Sequence, residues 1–96
     1  MAETYSTTLI EKESIPELSF PKQSIIETKK ELDVLKRKLR RSMILGNVHR
    51  TKMRIIFQDD DGIKEVQTTI WAVGDKNIVL KKGVIIPIRR LVDVVL

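Results

Sequence analysis

The spacing of apolar residues changes once along this chain, at Gly46, and that change limits the possible folds more than any other feature. Before it, Ile25, Thr28, Leu32, Leu35, Leu39 and Ser42 recur at intervals of three and four. That spacing traces one narrow stripe along an α-helix. Ser24-Ile25-Ile26-Glu27 reads as a capping box, the Ser oxygen taking the Glu27 backbone N–H and the Glu side chain returning to the Ser N–H. Gly46 reads as the left-handed residue just past the helix end. A helix of about five to six turns is therefore expected over residues 24–45. After Gly46 the period is two. Met53, Ile55 and Phe57 alternate with Lys52, Arg54 and Ile56; Asp59-Asp60-Asp61-Gly62 makes a turn; Val66, Thr68, Ile70 and Ala72 then alternate with Glu65, Gln67, Thr69 and Trp71.

Three further short strands are expected. Ile78-Val79-Leu80 and Val84-Ile85-Ile86 are separated by Lys82-Gly83, and Val92-Asp93-Val94-Val95-Leu96 closes the chain. Pro87 cannot donate to a sheet ladder, so Pro87-Ile88-Arg89-Arg90 is read as a strand end and a brief helical turn. The fold class is α+β, a long basic helix followed by five short strands. The strand-rich segment from Leu80-Lys81-Lys82-Gly83 through Ile86-Pro87-Ile88-Arg89-Arg90 to Val94 resembles the small barrels called SH3-like and Sm-like. That resemblance implies a five-stranded barrel over residues 47–96. It implies no nucleotide-binding residues, because the Asp-x-Asn loop motif of RNA-binding Sm proteins is missing. Residues 1–23 are expected to form an extended acidic arm, whose scattered Leu18 and Phe20 could dock on a partner.

Charge is distributed unevenly along these segments. Residues 1–21 carry a net −3, residues 22–43 a net +5 and residues 44–96 a net +3. On the helix, Lys29, Lys30, Lys36, Arg37, Arg40 and Arg41 fall on one flank of the apolar stripe, interrupted by Asp33. Arg50, Lys52 and Arg54 continue the charge along the first strand, Lys81 and Lys82 sit at a hairpin tip, and Arg89 and Arg90 lie in the last turn. Phosphate contact needs cations without a particular motif, and these thirteen residues are the candidate nucleic-acid-binding set.

Other chemistries lack their residues. There is no cysteine and hence no nucleophilic thiol, and one imidazole is too few for a His-based zinc site; His49 lies at the helix-to-strand junction with no Ser-His-Asp arrangement near it in the sequence and is expected to be structural. The four glycines are separated, leaving no phosphate-cradling loop. Asp59-Asp60-Asp61-Gly62 lacks the register of a calcium loop and is expected to be a turn with solvated carboxylates. No stretch approaches the roughly 20 apolar residues of a bilayer crossing, and the first residues lack a signal-peptide pattern, so a cytoplasmic protein is expected.

The expectation is a non-enzymatic RNA-binding protein without cofactor. Its charge layout is similar to that of small accessory ribosomal proteins, which implies structured RNA, ribosomal RNA and ribosomal proteins as partners. The alternative is a protein-interaction module or homo-oligomeric adaptor using the barrel and the Leu stripe. Trp71, sent by alternation to the face opposite Ile70, must meet the helix, a partner or a base. Packing beneath the helix is expected. With 4% aromatic residues, phosphate and shape recognition is favoured over base stacking.

Overall fold

In a computed structural model, residues 7–95 are described. One helix, α1, runs over Lys29–His49 and begins four to five residues later than the spacing predicts. The reason is a second Ser/Thr-x-x-Glu signature one turn on. Thr28 Oγ1 accepts the Glu31 N–H (3.1 Å) while the Glu31 carboxylate takes the Thr28 and Glu27 N–H groups (both 3.0 Å). Ser24 instead closes a local turn by accepting the Ile26 N–H, and Ile25 donates to the Arg89 carbonyl, which holds this stretch outside the helix.

The other end also differs. Gly46 lies inside α1, which continues to His49, and Arg50 takes the left-handed conformation (φ 54°, ψ 39°). The N–H groups of Arg50 and Thr51 both donate to the Gly46 carbonyl. Gly46 serves close approach: a Cβ there would overlap the Met53 methyl and lie 3.2 Å from the Thr51 carbonyl oxygen. Leu39, Ser42 and Gly46 are the buried residues of α1, flanked by half-buried Leu32, Leu35 and Met43. The predicted stripe is therefore the packed face, seated mainly on β4 (Ile70–Val73) and secondarily on β7 (Leu91–Val95).

Among the described residues seven strands form two sheets, and no closed five-stranded barrel is found. The first sheet has the order β1-β3-β2-β7, where β1 is Thr8–Leu9, β2 Met53–Gln58 and β3 Ile63–Thr68; the second is β4-β5-β6, with β5 Asn77–Leu80 and β6 Ile85–Pro87. The expected single strand through residues 66–72 breaks at Thr69, so its halves join different sheets. The acidic hairpin turn links β2 to β3, with Gln58 opposite Ile63, and Ile88–Arg90 forms the anticipated helical turn before β7. Asp59 is buried, not solvated: its carboxylate accepts the Asp61 and Gly62 N–H groups (2.9 and 3.0 Å) and the Lys64 ammonium (2.7 Å). Burial opposes ionisation of Asp59, but those donors hold its carboxyl below the usual range.

The described part of the arm is folded onto the body. Leu9 and Thr8 pair in parallel with β3, the 3₁₀ segment Lys12–Glu17 follows, and Ile15 is only 1% exposed within the core. Phe20 meets Phe57 with ring centroids 5.8 Å apart. Leu18 and Phe20, for which docking on a partner is the alternative reading of the sequence, pack against the chain's own core. Residues 1–6 of the expected arm lie outside the described residues.

Beneath β1, Glu65 is buried and accepts from Arg54 Nε and a terminal guanidinium nitrogen (both 2.8 Å), Gln67 (3.0 Å) and Thr7 (3.0 Å). The Arg54 guanidinium, opposed by burial and helped by the two neutral donors, brings the Glu65 carboxyl from 4.5 to about 2.

Two measurements test this packing. Ile15→Ala is expected to lower the free energy of unfolding by roughly 3 kcal/mol in urea melts, the usual cost of a large-to-small change in a core. A carboxyl whose folded-state pKa is depressed stabilises the fold above its unfolded value, and that stabilisation is lost as pH falls toward the folded value. Stability should therefore decline between pH 4.5 and about 2, with Glu65 accounting for at most about 3 kcal/mol. Glu65→Gln should be less stable at pH 7 and lose less than the native chain across that window.

Candidate nucleic-acid interface

Seating the stripe of α1 on β4 decides where its cations go. Lys29, Lys30, Arg37, Arg40 and Arg41 are exposed, and none pairs with a carboxylate among the described residues. Lys30, Arg37 and Arg41 occupy the side opposite Leu39, while Lys29 and Arg40 lie on the flank. Asp33 is exposed on the same outward side and is the carboxylate that interrupts it.

Lys36 differs from its neighbours. Its side chain is 15% exposed and its ammonium lies 3.3 Å from Asp75, in the turn between β4 and β5. Lys38 is tied to Asp93 on β7, and Asp93 also caps the Val94 N–H. Both lysines pin α1 to the sheets and contribute less to the outward field.

At the C-terminal end of α1 a second positive cluster forms. Arg50, Lys52 and Lys81 line one groove with Trp71 and are exposed without a carboxylate partner among the described residues. Lys82 follows at the turn between β5 and β6, with φ 68°. Trp71 does not pack beneath the helix. It lies on the face opposite buried Ile70, 54% exposed on the edge strand of its sheet, at a point where the pairing of β4 with β5 shifts register.

Three predicted cations are engaged within the fold. Arg54 holds the buried Glu65. Arg89 Nε donates to the Pro21 carbonyl (3.0 Å) and a terminal nitrogen to that of Phe20 (3.4 Å). Arg90, 6% exposed, donates from Nε to the Gln58 carbonyl (3.0 Å) and from a terminal nitrogen to that of Gln23 (2.7 Å). These two arginines clamp the arm, and the reason they read as surface charge is that carbonyl partners leave no mark in a sequence.

The outward side of α1 also carries Val34, Ile44, Leu45 and Val48, each 38–70% exposed. With the cations they make a second series, Lys30, Val34, Arg37, Arg41, Ile44 and Val48, again spaced by three and four. The signal was present in the sequence, but Leu32, Leu35 and Leu39 make the stronger stripe and only one can face the sheets. No helix among the described residues is long and apolar enough to cross a membrane.

Arg50 provides a test of local geometry. A residue with a Cβ in the left-handed region costs roughly 1–2 kcal/mol relative to glycine. Arg50→Gly is expected to raise the thermal midpoint while removing one cation from the groove; an unchanged or lower midpoint would show that contacts of the Arg side chain outweigh the backbone cost. Comparison with known protein families, with curated proteins and with solved structures yields no match.

Proposed function

We propose that this chain is a non-enzymatic RNA-binding protein of the cytoplasm, associated with the ribosome or an accessory component of it, that contacts phosphates of structured RNA through the outward side of α1. We place its two-sheet body with the SH3-like and Sm-like barrels as an open relative. The observation that carries the functional reading is the orientation of α1: its apolar face is buried, and five of its cations reach solvent without internal carboxylate partners. Unpaired cations on a rigid helix neutralise phosphates and release counterions, the dominant source of sequence-independent affinity. The net charge of +5 acts in the same direction over longer range.

A second reading draws on the exposed Val34, Ile44, Leu45 and Val48, which favour a protein partner on the same helix side. The Leu32, Leu35 and Leu39 stripe faces the core and is not on that side. Self-association through the outer series is opposed by charge: an antiparallel copy centred on Leu39 sets Arg37 against Arg41, and a parallel copy sets each against itself.

Replacing Arg37, Arg40 and Arg41 together by Gln should weaken binding to a structured RNA by roughly ten-fold or more at about 100 mM salt and reduce the steepness of the salt dependence by about two to three units. Unchanged affinity and slope would remove the helix from the interface. A dimer persisting in high salt by light scattering, with no RNA affinity, would establish the protein-partner reading instead.

A further inference from the structure

The groove beside Trp71 has features that phosphate contact alone leaves unused. Trp71 stands on a bulged edge strand, more than half exposed, where burial in the core offers no reason for so large an aromatic. Around it the groove, about 320 Å³, is lined by Arg50, Lys52 and Lys81 and by the polar Asn47 and Thr69, with no carboxylate in its wall. Asn47 is held in place, its amide donating to the Ile70 carbonyl (3.3 Å), and its side-chain oxygen accepts no hydrogen bond from the described residues. A flat apolar face beside three unpaired cations and a fixed amide matches a planar base joined to an anion. A lipid tail or an aliphatic peptide side chain would not use the cations, and a lone phosphate would not use the indole.

We propose that this groove takes one unpaired nucleotide of a bound RNA, its base stacked on Trp71 and its flanking phosphates on Arg50, Lys52 and Lys81. The inference rests on the reading of α1 as an RNA contact and extends it from the duplex to an adjoining single strand. The two surfaces are continuous. Arg40 and Asn47, seven residues apart, share one side of α1 about 10 Å apart along its axis, so a strand leaving the helix cations passes into the groove. A single aromatic is too few for a platform of several bases but sufficient for one, and stacking of that kind tolerates any base.

The chain has one tryptophan, so its emission reports on this groove directly. The experiment titrates the full chain with an RNA hairpin carrying a short single-stranded uridine tail, with the same hairpin made blunt, and with uridine monophosphate alone. The tailed hairpin should quench the emission and bind roughly ten-fold more tightly than the blunt one. Trp71→Leu should remove that advantage and leave blunt-hairpin affinity unchanged, Trp71→Phe should restore most of it, and Lys52→Gln with Lys81→Gln should reduce it with Trp71 intact. Matching thermal midpoints establish that these surface variants are folded.

Equal affinity for the two hairpins, with emission unaltered and Trp71→Leu silent, would overturn the groove assignment while leaving the helix reading in place. Quenching by uridine monophosphate as tight as by the tailed hairpin would overturn RNA as the source of the nucleotide. Absence of binding to either hairpin would overturn both the groove and the helix readings.

Discussion

The seating of one narrow helix face on the edge of the second sheet sets the rest of this structure. Leu39, Ser42 and Gly46 permit the helix to lie close to β4 and to Met53, and a side chain at Gly46 would require the Met53 methyl to shift. With that face committed, Lys30, Arg37 and Arg41 have nowhere to point but outward. The ion pairs from Lys36 to Asp75 and from Lys38 to Asp93 sit on the two shoulders of the packed face and oppose rotation of the helix about its own axis. Each is partly solvated and worth little alone. Their contribution is to select one rotation among those the apolar contact allows.

Much of this was legible in the sequence, for reasons that can be named. The change of period at Gly46 separated helix from sheet because the two repeats cannot both place the same residues in a core. The helix starts one turn later than the spacing predicts because Ser24 to Glu27 and Thr28 to Glu31 carry the same signature, and contacts of Gln23, Ser24 and Ile25 outside the helix are invisible in the sequence. The helix end was mistaken because glycine has two uses, a left-handed turn and a close approach, that one letter does not distinguish. The bend at Thr69 was hidden because alternation continues across it while the sheet does not. The arm was misread for lack of periodicity: Ile15 and Phe20 reach the core through irregular backbone, which leaves no repeat to read.

The candidate site was legible as charge and illegible as geometry. Thirteen cations looked equivalent, yet Arg54, Arg89 and Arg90 work inside the fold, where guanidinium geometry suits a carboxylate or a pair of carbonyls. Removing them from the surface concentrates the positive field on α1 and the Trp71 groove, while Glu11, Glu13 and Glu17 lie exposed on the arm. Trp71 shows the opposite error. Alternation placed it on the face opposite Ile70, where it does lie, but the helix expected to cover that face does not, and Trp71 stands in solvent.

The central claim is that the outward side of α1, continued by the groove at its C-terminal end, meets the phosphates of RNA. Backbone amide chemical shifts recorded during titration with a structured RNA test it most directly. The account predicts salt-sensitive changes concentrated between residues 29 and 52 and around Trp71 and Lys81, with the amides of β1 and the arm still. Changes centred on the arm or on β3, or spread evenly with no salt dependence, would contradict it.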